Sequence, residues 1–98
     1  MEEHAFNTKK SKILEEKLSK IFLPEYICVV DESHKHAGHA GSRPEGGTHF
    51  HITMVSADFL GKPLVERHRL LYDALQEELK TSIHALSATL KTPRQITT

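Results

Sequence analysis

The sequence predicts a single small α/β (α+β) domain in which helices cover one face of a three-stranded sheet. Its length of 98 residues is that of one domain. Its composition, 38% hydrophobic and 27% charged, suits a soluble chain with a modest core. Apolar residues follow the helical period in two long segments and form short strand-like runs elsewhere, which predicts the order helix, strand, strand, short helix, long helix, strand. We expect one domain over residues 1–98, with an ordered core of about 10–93 and flexible termini.

The first three elements are a helix and an antiparallel hairpin. The segment "SKILEEKLSKIF" has one apolar stripe and stops before Pro24; the stripe contains Ile13, Leu14, Leu18, Ile21 and Phe22. "EYICVV", residues 25–30, is a β-rich run, and "THFHITMVS" alternates apolar and polar residues. In the second strand Phe50, Ile52 and Met54 share the face opposite His49 and His51. A glycine-rich connection, residues 31–47, joins the two strands.

The second half of the chain predicts a crossover from the hairpin to a final parallel strand. A short helical turn at 58–60 precedes Gly61 and Pro63, and Pro63 suits the first turn of a long helix. Apolar spacing gives that helix a buried stripe, on which His68 is expected to be half-buried and structural. The predicted stripe contains Leu64, Val65, His68, Leu71, Tyr72, Leu75 and Leu79. "IHALSATL" is the last strand, which completes a βαβ unit.

Charge and cysteine content narrow the classes of function. The net charge is zero with histidines neutral, which argues against a general polyanion binder. Cys28 is the one cysteine in the sequence, so no internal disulfide forms and a cytoplasmic, reducing location is expected. We expect Cys28 to pack as a small apolar residue in its strand. No apolar run approaches membrane-spanning length. No pair of nucleophile and base, no phosphate-binding loop after a strand and no paired carboxylates indicate an enzyme.

Histidines are concentrated in the hairpin connection, in "HKHAGHAG", residues 34–41. From the residues alone this segment is compatible with a metal site, a catalytic loop, a phosphate-binding turn or a solvated hairpin connection. A closed structural zinc site is disfavoured because no thiolates accompany the histidines. "GHAG" fits the letters of the KH-domain G-x-x-G loop but lies in the hairpin, whereas the KH loop joins two helices.

Several motifs in the same order resemble the BolA family over roughly residues 11–93: "DESHKHAGHAG", "THFHITMVS", "GKPLVERHRLLY" and "IHAL" followed by "TP". The resemblance implies a class II KH-like fold. It also implies a partner, a monothiol glutaredoxin, with which the protein would share a [2Fe-2S] cluster in iron–sulfur cluster maturation, trafficking and iron homeostasis. The cluster is expected only in complex with glutaredoxin and glutathione, with no cofactor in the protein alone. The free protein is expected to be a monomer or weak homodimer that does not bind membranes.

The resemblance also implies the cluster ligands on this chain. The first is His84 in "IHAL", and the second is His36, with His34 and His39 as alternates. His84 has the strand parity of Leu86 and would point into the core if the strand extended through it. The ligand role therefore requires His84 to be exposed at or before the start of the strand.

The alternative function is DNA binding by a transcriptional regulator of stress and morphology, which the resemblance also implies for some bacterial members. Residues 59–79 resemble a helix-turn-helix segment, and Lys62, Arg67 and Arg69 are its candidate phosphate contacts. Three cations beside acidic neighbours predict weak, salt-sensitive binding.

Overall fold

The computed structural model describes residues 8–32 and 49–93. It confirms the predicted fold class and the order of the elements. These are α1 (Lys9–Phe22), β1 (Tyr26–Asp31), β2 (His49–Val55), a 3₁₀ turn (Ala57–Phe59), α2 (Leu64–Ala74), α3 (Gln76–Thr81) and β3 (Ala85–Lys91).

The three strands form one sheet in the order β1-β2-β3. β1 pairs antiparallel with β2, placing Val29 opposite Ile52, and β2 pairs parallel with β3, placing Ile52 opposite Ala88. The predicted hairpin and βαβ crossover are therefore both confirmed. β2 is the central strand, and its alternate residues Phe50, Ile52 and Met54 are buried against the helices, as its sequence period predicts.

α1 begins at a side-chain cap and ends at a left-handed residue. The Thr8 hydroxyl oxygen accepts a hydrogen bond from the backbone N–H of Ser11 at 3.3 Å, and Leu23 closes the helix with φ 45°. The buried residues are Ser11, Leu14, Leu18 and Phe22. The predicted burial of Ile13 and Ile21 is wrong, because each precedes a buried residue by one position and so lies about 100° around the helix from it.

The long helix predicted after Pro63 is divided at Leu75 into α2 and α3. Its buried face is also rotated from the predicted stripe. Leu71 and Leu75 are buried as predicted, whereas Leu64, Val65 and Tyr72 are exposed. The difference arises because Arg67, which an apolar count ignores, occupies the buried face one turn before Leu71.

The Arg67 side chain links α2 to the edge strand β3 by hydrogen bonds. Only 9% of its surface is exposed. Its Nε donates to the carbonyl oxygen of Lys62 at 2.8 Å, and its Nη1 donates to that of Leu90 in β3 at 2.9 Å. The guanidinium thus pairs with a carbonyl of the turn before α2 and with a carbonyl at the edge of β3.

The sheet face away from the helices is partly open to solvent. It carries Cys28, which is half-buried, so the expectation of a buried apolar cysteine is only partly met. The Cys28 sulfur raises the pKa of the Tyr26 hydroxyl, and partial burial and the Glu15 carboxylate act in the same direction. In the described residues, no helix is both long and apolar enough to cross a membrane.

We expect Arg67→Ala to lower the free energy of unfolding by about 2–4 kcal/mol, because it removes two charge-assisted hydrogen bonds and leaves buried acceptors unpaired. Arg69→Ala is the matched control: Arg69 is exposed, and its contact with Glu66 is a surface pair at 3.5 Å. Removing that pair should change stability by less than about 0.5 kcal/mol. Urea unfolding followed by circular dichroism measures both, and equal effects would contradict a structural role for Arg67.

Candidate functional site

His84 lies immediately before β3 and is exposed. Its parity would have turned it toward the core had β3 begun one residue earlier, but the strand starts at Ala85. The exposure that the ligand interpretation required is therefore confirmed, and the ligand role itself stays a prediction. An exposed imidazole at a strand end can reach a metal or a partner without distorting the sheet.

A second imidazole, that of His49, lies beside His84. The two ring centroids are 5.1 Å apart with the planes tilted by 57°. His49 is the first residue of β2 and is paired in register with Ala85, so the parallel pairing of β2 and β3 brings the two histidines together. His49 is 9% exposed, which makes it the sheltered member of the pair.

The two histidines lie at the end of the sheet from which residues 33–48 depart. The backbone N–H of Glu32, just after β1, donates to the carbonyl oxygen of His49 at 2.7 Å, so the two described residues that flank this segment lie side by side. Asp31 is buried, and its carboxylate accepts a hydrogen bond from the Thr8 hydroxyl at 2.8 Å. This bond ties the end of β1 to the start of α1 and holds the base of the hairpin.

The predicted loop ligand His36 and its alternates His34 and His39 lie outside the described residues, and their predicted role is untested by the structure. Within residues 8–32 and 49–93, no three histidine, cysteine, aspartate or glutamate side chains are grouped to hold a metal ion. The His49–His84 pair is thus the imidazole arrangement that the described part of the chain offers at this sheet end.

The other described histidines make separate contacts. On the open sheet face, His51 Nδ1 lies 2.6 Å from the Ser87 hydroxyl and its Nε2 lies 3.2 Å from that of Thr89. His68 is half-buried, with its Nδ1 donating to the Leu64 carbonyl at 2.9 Å, which agrees with the structural role predicted for it. Its ring packs edge-on against the Tyr72 ring, with the two ring centroids 6.3 Å apart.

The candidate nucleic-acid residues do not form one exposed cluster. Arg69 is exposed, Lys62 is half-buried and Arg67 is committed to main-chain carbonyls within the fold, which corrects its predicted place on a binding surface. The short helical turn predicted at 58–60 is present as a 3₁₀ turn of three residues, Ala57–Phe59, which is shorter than the first helix of a typical helix-turn-helix motif.

Sequence reasoning placed His49 outside the candidate site, and the structure places it against His84. The feature that could have identified His49 is the parallel pairing of the strands before and after the crossover. Parallel strands begin at the same end of a sheet, so residues preceding or opening β2 and β3 become neighbours. "THF" and "IHAL" could have been paired on that basis once the βαβ unit was assigned.

Comparison with known proteins identifies the family. The family model described as BolA-like protein matches residues 18–95. A SufE-like protein 1 of Arabidopsis thaliana is 49% identical over 87 residues, covering 85% of this chain and 24% of that protein. Protein BOLA1 of Arabidopsis thaliana is 48% identical, covering 84% of this chain and 52% of the relative. The chain thus spans about a quarter and about half of the lengths of these two relatives.

A bacterial relative and a solved structure extend the same match. The DNA-binding transcriptional regulator BolA of Haemophilus influenzae is 42% identical, covering 86% of this chain and 78% of the relative. The solved BolA domain of SufE1 from Arabidopsis thaliana superposes with a TM-score of 0.80 at 46% identity, covering 90% of this chain and 96% of that one. Sequence and architecture agree, and the chain belongs to the BolA-like protein family.

Proposed function

We propose that this protein is a non-enzymatic adaptor that docks on a monothiol glutaredoxin and co-ligates a bridging [2Fe-2S] cluster. The ligands on this chain are His84 and a second histidine, which we assign to His36. The complex serves iron–sulfur cluster maturation and trafficking and iron homeostasis. The observation that carries the proposal is the exposed His84 imidazole, 5.1 Å from His49, at the sheet end where residues 33–48 begin and end.

The donor chemistry of this sheet end fits a shared cluster. Iron in a [2Fe-2S] cluster accepts imidazole in place of thiolate, which raises the reduction potential. Two imidazoles alone leave such a cluster short of ligands, so the remaining thiolates must come from another molecule. A glutaredoxin cysteine and the glutathione thiol supply sulfur of the required kind, and the exposure of His84 allows that approach.

Chain geometry allows His36 to act as the second ligand. His36 follows Glu32 by four residues, and an extended chain spans about 3.6 Å per residue, so it is tethered within about 14 Å of Glu32. Glu32 is hydrogen-bonded to His49, which in turn contacts His84. His49 is largely buried and is better suited to orient the His84 ring than to reach across to a partner.

Anaerobic cluster reconstitution with a monothiol glutaredoxin and glutathione, followed by visible circular dichroism, tests the proposal. Adding wild-type protein should change the spectrum of the glutaredoxin-bound cluster, because imidazole replaces another ligand. His84→Ala should abolish the change, and His36→Ala should alter or abolish it. His49→Ala should keep a changed spectrum but weaken complex formation, because His84 loses its packed neighbour.

His68→Ala is the matched control, since His68 lies on α2 and contacts Leu64 and Tyr72, away from the histidine pair. It should behave as wild type. Retention of the wild-type spectrum in His36→Ala, with loss in His34→Ala or His39→Ala, would move the loop assignment by one imidazole. An unchanged glutaredoxin spectrum on adding wild-type protein would refute the adaptor proposal.

DNA binding is the second candidate function, favoured by the name of the Haemophilus influenzae relative. We propose that any such binding is weak and electrostatic. Arg69 is exposed, but the Glu66 carboxylate lies 3.5 Å from its guanidinium and offsets part of its positive charge. With Arg67 withdrawn into the fold, Lys62 is the second available cation of the segment.

The salt dependence of binding to a duplex oligonucleotide, measured by fluorescence anisotropy, tests this second candidate. Replacing both Lys62 and Arg69 with alanine should reduce the slope of log affinity against log salt concentration by about two, one for each phosphate that is no longer neutralised. A matched double variant at Lys20 and Lys80, which are exposed on other helices, should leave the slope unchanged. Equal slopes in both variants would refute a specific role for the 62–69 segment.

A further inference from the structure

A cleft of about 360 Å³ lies between α2 and the outer edge of β3. Leu64, Arg67 and His68 line it from the helix, and residues 88–91 line it from the strand. The cleft is not part of the histidine pair: Ala88 lies three residues along β3 from Ala85, or about 10 Å. This surface therefore requires a separate explanation.

Main-chain groups of β3 face this cleft. β3 is an edge strand, because the sheet order is β1-β2-β3. The Leu90 carbonyl accepts from Arg67 and the Leu86 carbonyl accepts from the Tyr72 hydroxyl at 3.3 Å, so residues of this parity direct their N–H and C=O groups toward α2. Ala88 lies midway between them with the same parity, and its N–H and C=O are aimed into the cleft.

The helix wall opposite this edge is a row of side chains one turn apart. Leu64, His68 and Tyr72 occur at i, i+4 and i+8 and so follow one side of α2. Leu64 is 59% exposed and Tyr72 is 40% exposed, while the His68 ring is fixed between them by its bond to the Leu64 carbonyl. A strand edge facing a partly apolar helix flank is the arrangement that accepts an extended peptide as an added strand.

The charge of the cleft is one-sided. Its charged or titratable lining residues are Arg67, His68 and Lys91, and none of the described lining residues carries a carboxylate. Lys91 is exposed at the end of β3. An extended segment that alternates apolar and acidic side chains would complement both the apolar wall and this positive potential.

We propose that the α2–β3 cleft binds an extended, acidic peptide segment of a partner protein, which pairs with β3 at Ala88 alone, between the Leu86 and Leu90 carbonyls that Tyr72 and Arg67 already occupy. The peptide backbone pairs with the N–H and C=O of Ala88, one side chain packs on Leu64, and a carboxylate lies near His68 and Lys91. This inference does not rest on the proposed function, because none of its residues belongs to the histidine pair. A partner could occupy the cleft while the sheet end engages a glutaredoxin.

The test uses a fluorescein-labelled hexapeptide of alternating valine and glutamate, titrated into the full chain and followed by anisotropy and by NMR. We expect saturable binding and slower solvent exchange of the Ala88 amide proton. Leu64→Asp should weaken binding at least about tenfold, because it removes an apolar contact and adds a repelling charge. Leu60→Asp is the matched control: Leu60 is 53% exposed and lies outside the cleft lining, so binding should be unchanged.

Peptide chemistry separates strand addition from plain charge attraction. A peptide of the same sequence with alternate amides N-methylated keeps its charge but loses backbone donors, and it should not bind. Equal binding of the methylated peptide would overturn the proposal, as would binding that Leu64→Asp leaves unchanged. A thymidine hexanucleotide that perturbs Ala88 when the peptide does not would assign the cleft to nucleic acid. Concentration-dependent dimerisation through the cleft without peptide binding would assign it to a second copy of the chain.

Discussion

The register of the central strand β2 is the constraint on which the rest of the structure depends. Burial of Phe50, Ile52 and Met54 fixes which face of β2 meets the helices, and a slip of one residue would turn His51 and Thr53 toward the helices instead. Because β2 pairs with both other strands, its register also sets theirs. The contact between His49 and His84 is thus a consequence of core packing, made between residues 35 positions apart in sequence.

Local sequence patterns were sufficient for the elements but not for the faces of the helices. Alternation identified β2, and the i, i+4 spacing of Leu14, Leu18 and Phe22 identified α1. On α2 the same reasoning was right for Leu71, which is buried, but wrong for Leu64 and Tyr72, which are exposed. The buried position one turn before Leu71 belongs to Arg67. A periodicity argument counts Arg67 as polar, and only the tertiary position of the Leu90 carbonyl shows why its long side chain is buried.

The candidate site, like the helix faces, was predictable only where it did not depend on tertiary contacts. The expected exposure of His84 followed from chemistry, since a ligand must be accessible, and the start of β3 at Ala85 satisfies it. Its neighbour His49 could not be found from local pattern, because their contact depends on nonlocal parallel pairing. The resemblance to a family suggested His36, but residues 33–48 lie outside what the structure describes.

The two edges of the sheet differ in which main-chain groups are hydrogen-bonded by side chains, and this difference determines where a partner strand could pair. On β1, the Glu15 carboxylate of α1 accepts the outward N–H of Val29 at 3.2 Å, which occupies the middle of that edge. On β3, side chains reach the carbonyls of Leu86 and Leu90 and leave the groups of Ala88 between them. Unpaired edges invite strand addition, and proteins usually cover or charge them. With the middle of the β1 edge occupied by Glu15 and a short gap left at Ala88, the edge of β3 is the place where we propose that a partner strand pairs, and β3 begins directly after His84.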